Sequence, residues 1–200
     1  MNLFAVLAVI APAPSRASDA DTSRVARHLD GDAHAFGEIY RAHASAVYQR
    51  LTRILGPIAE REDLTQEVFL ALHRALPRFR GDAALGTLIQ RIAINIAYEH
   101  LRRAKRRPAA AHEAAFFDEL VAPIASPAAR AEAREGLVRV FDCLARIKPK
   151  KRVALLLRVV DGLSFDEIAR LVDATPETVA KRVQHGQREL DALLAKRGRA

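Results

Sequence analysis

Helical periodicity is the feature that most limits what this chain can become. Apolar residues return every three or four positions along nearly its whole length, and no run of alternating β-branched residues suggests a strand. From about Asp30 to Leu55, Phe36, Ile39, Tyr40, Val47, Leu51 and Ile54 recur at helical spacing until Gly56-Pro57 breaks the pattern. Leu64, Val68 and Leu72 form the stripe of a following helix, and PRFRGD reads as a loop. A further helix spans about Leu85 to Arg106, with Leu88, Ile92 and Ile96 facing inward and basic residues at its end. The predicted fold class is all-α.

The periodicity lapses once. RPAAAHEAAFFDELVAPIASPAAR is rich in Ala and Pro and lacks a sustained apolar stripe, so it reads as a flexible linker between two small helical domains. Ser126-Pro127 then has the form of an N-cap followed by proline at the first helical position. Leu137, Phe141 and Leu144 resume the period, and Pro149 opens the helix VALLLRVV, which Asp161-Gly162 ends. No internal repeat is visible. The expected organisation is an N-terminal extension over 1–22, a domain over 23–107, a linker over 108–133 and a second domain over 134–200.

Charge and cysteine content narrow the function classes. A formal net charge of +8 over 200 residues favours a polyanionic partner, most simply nucleic acid. The single cysteine, Cys143, lies among apolar residues, which excludes an intrachain disulfide framework and a cysteine-rich zinc site and marks a small core residue. MNLFAVLAVIAPAPSRA loosely imitates a secretory leader, but no Lys or Arg precedes its apolar run, which is too short to span a bilayer. Residues 1–22 are therefore expected to be a disordered extension, or the product of an early start codon, on a cytoplasmic protein with no stable membrane insertion, with export as the minority alternative.

The segment LSFDEIARLVDATPETVAKRVQHGQREL carries the clearest motif. Ser164 and Glu167 have capping-box spacing, and Ile168, Ala169 and Val172 form the inner face of a short helix. After DAT, Pro176 opens a second helix with Val179, Val183 and Leu190 inward. Two short helices joined by a tight turn, with a small alanine at their crossing, describe a helix-turn-helix. The second helix would expose Thr175, Glu177, Thr178, Lys181, Arg182, His185 and Arg188, which suit base edges and flanking phosphates. An ordinary helical hairpin with a solvated face is the competing interpretation. Asp173 departs from the glycine often used where such a turn needs a left-handed backbone.

The stretch EDLTQEVFLALHRALPRFR is acidic at its start inside a basic chain. Asp63, Gln66, Glu67, Leu70 and Arg74 align at spacings of three and four, forming a second stripe beside the buried one. Together with GTLIQRIAINIAYEHLRRAKRR, this stretch resembles region 2 of bacterial RNA polymerase sigma factors of the extracytoplasmic-function group. KKRVALLLRVVDGLSFDEIARLVDATPETVAKRV resembles that group's region 4. The resemblance covers roughly residues 30–107 and 134–197, in the family's order, with no region 3 between them.

The resemblance implies a transcription initiation factor. Asp63, Gln66, Glu67 and Leu70 would dock on the clamp coiled coil of the polymerase β′ subunit, with the β subunit also contacted, so the acidic ridge meets protein. The −10 element would lie along the loop Phe79–Thr87 and the next helix, with Arg80, Arg91, Asn95, His100, Arg102 and Arg103 as its contacts. The −35 element would meet the helix-turn-helix. An anti-sigma partner is implied, and neither a metal nor another cofactor is. Thr87-Leu88-Ile89 stands where relatives often have TWL, and His73 where WRAL is common; repacking of the core is the expectation at both places. Gly86 replaces bulkier or charged loop residues.

Two other functions compete with this one. A stand-alone helix-turn-helix regulator would bind duplex DNA tightly without polymerase. An all-helical enzyme would need a metal-ligand motif, phosphate loop or similar constellation, and the sequence contains no HExxH or phosphate loop.

Overall fold

The computed structural model describes residues 19–104, 117–118, 121, 124 and 126–197. Among them every regular element is helical: α1 (Asp19–Leu29), α2 (Ala35–Leu55), α3 (Arg61–Ala75), a 3-10 turn (Leu76–Arg78), α4 (Leu85–Ala104), α5 (Pro127–Leu144), α6 (Pro149–Val159), α7 (Phe165–Val172) and α8 (Pro176–Arg197). None of the described helices is long and apolar enough to cross a membrane. The domain limits proposed at 22/23 and 133/134 fall inside α1 and α5, and most of the expected linker lies outside the described residues.

Local chemistry accounts for the element ends. Gly56 stops α2 with φ +78°, and its N–H bonds the carbonyl of Thr52 at 2.9 Å; Pro57 then prevents another turn. Glu62 and Asp63 place carboxylates in the first turn of α3, where the helix dipole favours them. Ser126 caps α5 by accepting from the N–H of Ala129, with Pro127 opening the helix. Ser164 and Glu167 form the reciprocal capping box of α7. Asp173 takes the left-handed conformation, φ 47° and ψ 64°, so the turn is made without the customary glycine.

Two apolar clusters organise the molecule. The first joins α1–α4 through Ile39, Leu51, Val68, Leu72, Ile89 and Ala97, and continues into Val153, Leu157, Ile168 and Val179 from the C-terminal half. The second gathers Leu137, Phe141, Leu144, Leu155, Leu156 and Leu190, with Phe117 and Val121 from the expected linker buried on it. Helix α6 contributes to both, which explains its unbroken run Val153–Leu157: one flank faces the N-terminal bundle and the other its own domain. Cys143 is a buried core residue.

The two halves therefore touch. Helix α4 packs on α6 and α7 as well as on α2 and α3. This double covering buries Leu85, Ile89, Ala93, Ile94 and Ala97, with Leu88, Ile92 and Ile96 partly buried beside them.

One aromatic expectation needs correction, at His73, and one apolar position of the α2 stripe stays at the surface. Tyr40 does not join the core; it remains 40% exposed and leans on the Phe69 ring, 4.6 Å between centroids. His73 is exposed too, and its edge meets Phe36 and His28 in a surface cluster of rings 5.1–5.3 Å apart. A polar ring at this position keeps its nitrogens in water, which a tryptophan-like core placement would deny them. Leu88 does pack against the core.

Candidate nucleic-acid and protein interfaces

The stripe on α3 exists because its opposite face is fully used. Leu64, Val68, Phe69 and Leu72 are buried, which leaves Asp63, Gln66, Glu67 and Leu70 exposed together along the outer edge. Leu70 is 59% exposed, the most of any large apolar side chain among the described residues. An exposed leucine set between carboxylates and an amide can bury apolar area and make polar contacts with one partner surface.

Beside that ridge, α3 and α4 frame a shallow pocket of about 170 Å³ lined by Leu64, Glu67, Asn95, Ile96, Glu99, His100 and Arg103. One residue expected to meet polymerase, Glu67, thus borders the same hollow as three expected to meet the −10 element. Burial is the main influence on His100 and lowers its pKa, Arg103 lowers it further, and Glu60 and Glu67 oppose them. Its ring is accordingly neutral at pH 7 and offers a hydrogen bond, not a cation.

The other −10 candidates are dispersed. Arg80 is exposed in the loop before α4. Arg102 is held by Glu99, 2.6 Å away, while Arg103 projects from the same exposed end. Arg91 and Asn95 are exposed on α4 one turn apart. Arg91 opens onto a separate groove of about 390 Å³ whose other walls are Asp166, Ala169, Arg170, Asp173, Ala174 and Pro176 of the helix-turn-helix.

In the helix-turn-helix, α7 and α8 cross over Ile168, Ala169 and Val179, all buried. Gly186 lets α8 lie against α6, since a Cβ there would stand 3.2 Å from the Lys151 carbonyl and 3.5 Å from Leu155. Lys181, His185 and Arg188 are exposed and Arg182 is half-buried. Two expected readers have local duties: Thr175 accepts from the N–H of Thr178 at 3.2 Å, capping α8, and its hydroxyl donates to that of Thr178 at 2.9 Å. Glu177 pairs with Lys181 at 2.7 Å. Such an exposed pair is weak and can open when a phosphate competes for the lysine.

Residues 39–107 match Sigma-70 region 2, and residues 137–190 match Sigma-70 region 4. The chain is 33% identical over 181 residues to the RNA polymerase sigma-H factor of Pseudomonas aeruginosa, covering 87% of this chain and 93% of that one. It is 32% identical over 177 residues to the ECF RNA polymerase sigma-E factor of Escherichia coli K12, covering 86% and 92% respectively. The chain belongs to the sigma-70 family, in its extracytoplasmic-function group.

A solved structure described as CnrH in complex with the cytosolic domain of CnrY superposes on this sigma factor with a TM-score of 0.60. The two are 25% identical, over 89% of this chain and 99% of that one. The present protein is thus a transcription initiation factor that directs RNA polymerase to promoters, in a family of regulators. Sequence reasoning missed the residues that join its halves, Arg50, Arg53, Arg152 and Asp161. The one available signal was a pair of arginines set among the apolar positions Val47, Leu51 and Ile54.

Proposed function

We propose that the exposed edge of α3 docks on the clamp coiled coil of the polymerase β′ subunit through Asp63, Gln66, Glu67 and Leu70, while the β subunit supports the C-terminal domain. The observation that carries this reading is the exposure of Leu70 inside a carboxylate and amide ridge whose reverse side is completely buried. Arg80, Arg91, Asn95, Arg102 and Arg103 then face the −10 element. The cations hold phosphates, and Asn95 hydrogen-bonds a base edge, with neutral His100 beside it. Lys181, Arg182, His185 and Arg188 read the −35 duplex, with Thr175, Glu177 and Thr178 at the entrance of that helix.

This sigma factor performs no covalent chemistry of its own; nucleotide joining belongs to the polymerase. The neighbour CnrH is captured with a cytosolic domain of CnrY, and a comparable anti-sigma polypeptide is proposed to restrain the present chain. The docking face is tested by the double variant Gln66→Ala/Glu67→Lys in a core-polymerase pull-down. Affinity should fall at least tenfold, about 1.4 kcal/mol, with unchanged helical content. Undiminished capture would remove α3 from the interface.

A further inference from the structure

Part of the stretch expected to be a linker is built into the C-terminal core. Phe117 and Val121 are each 1% exposed, and Phe117 is among the largest fully buried side chains of the described residues. Both belong to the apolar cluster of Leu137, Phe141, Leu144 and Leu190, with Ile124 packed at its margin. The Phe117 ring meets that of Phe141, 6.0 Å between centroids. Asp118 Oδ1 lies 2.7 Å from Arg134 Nε, and the Ile124 carbonyl accepts from Arg130 Nε at 3.0 Å. The Ile124 N–H bonds the Val121 carbonyl at 2.9 Å.

These contacts have a register. As the chain advances from Phe117 through Asp118 to Ile124, the partners on α5 recede from Phe141 through Arg134 to Arg130. The described residues thus form a strap antiparallel to α5, and Ser126 then caps the start of that helix. The hold is apolar. Asp118 is 62% exposed, so its pair with Arg134 is weak, whereas returning a buried phenylalanine and valine to water is costly. Because α5 and α8 share this core through Phe141 and Leu190, the strap belongs to the domain of the helix-turn-helix.

The anchoring shortens the connection between the domains. Residues 105–116 alone join the end of α4 to the strap, and they can span at most roughly 45 Å whatever their path. From Ala104 to the start of α5 at Pro127 the chain could otherwise reach roughly 80 Å. Elements centred about 25 base pairs apart lie roughly 85 Å apart on straight B-DNA. With the strap seated, about 40 Å must be made up inside the two domains, whose reading helices α4 and α8 are each about 30 Å long. Little slack remains.

We infer that the strap is a spacing determinant: by fixing where the connection begins, Phe117 and Val121 set how many base pairs separate the −10 and −35 elements. Both are positioning residues; being buried, they touch no DNA. The inference rests on the promoter-binding reading above.

The test uses the full-length chain in holoenzyme, on a promoter library in which only the distance between the two elements varies. The unaltered chain should give one sharp optimum. Phe117→Ala/Val121→Ala, which frees the strap, should raise output about tenfold at distances about three base pairs beyond that optimum, relative to output at the optimum. About eight Gly and Ser residues inserted after Arg107 lengthen the connection with the strap seated, and should shift the profile the same way. Phe117→Leu/Val121→Ile keeps the apolar anchor and should keep the original profile. If the alanine pair loses helical signal, Phe117→Ala alone should give a smaller displacement in the same direction. In the free chain, hydrogen exchange at the Phe117 and Asp118 amides should be slowed together with α5 and released by the alanine pair. Defined start sites with one distance profile for the unaltered, strap and insertion chains would overturn the inference. So would a shift on insertion with none in the folded strap variant, or fast exchange at Phe117 in the unaltered chain. Absence of defined starts would instead sink the promoter-binding reading, so the two fail separately.

Discussion

Helices α4 and α8 both bring cations to a solvent edge, but by opposite constructions. Helix α8 is anchored along one side, by Val179, Gly186 and Leu190, and presents Lys181, His185 and Arg188 on the other. Helix α4 is covered on two flanks, and its exposed residues are Arg91 and Asn95 along one strip and the arginines at its basic end. A helix that enters the major groove of an intact duplex needs a free face and a stiff back, as α8 has. A narrow strip flanked by a loop suits an unstacked single strand laid along it. The contrast fits one reader of duplex and one of opened DNA.

That contrast can be broken first at the back of α8. Gly186→Leu should destabilise the C-terminal half by about 3 kcal/mol, because the Lys151 carbonyl and Leu155 leave no room for the side chain. Chemical denaturation followed by circular dichroism checks it; an unchanged midpoint would mean that α8 is not pinned to α6. Next comes its front. Arg182→Ala should weaken −35 binding by about 2 kcal/mol at the base it reads, measured with holoenzyme on promoter variants. An equal loss on every sequence would make Arg182 a phosphate contact.

The smallest effect concerns α4. His100 has a folded pKa below its ordinary value near 6.5, so the folded state takes up a proton less readily than the unfolded chain. Its contribution to stability is present above pH 6.5 and is lost as pH falls through the folded value. Below pH 6.5 the native protein should lose stability more steeply than His100→Gln. Parallel stability-against-pH curves for the two would show that the ring is not desolvated.

The helices and turns were legible because their causes are local. The three-to-four spacing marked α2, α3 and α4, Ser126-Pro127 marked the start of α5, and Ser164 with Glu167 marked α7. The exposed stripe on α3 followed from the same periodicity. The contact between the halves was not legible, because Arg50, Arg53 and Arg152 look like solvated cations until Asp161 and the Leu55 carbonyl arrive from elsewhere in the chain. His73 was misjudged, and Tyr40 stays at the surface, for a related reason: each has an apolar body at a helical position, but whether a neighbour covers it depends on packing. The duties of Thr175 as a cap and Glu177 as a lysine partner lie within one helical turn and could have been anticipated.

The central claim is that one chain joins an enzyme through an acidic ridge and places it on DNA through two cationic surfaces. Reconstituting purified core polymerase with this protein on a library of promoter templates, then sequencing the RNA 5′ ends, tests it most directly. The account predicts starts at defined positions, each preceded by shared sequences near −10 and −35, and their loss with Gln66→Ala/Glu67→Lys. Initiation scattered without common upstream sequence, or no initiation on any template, would contradict it.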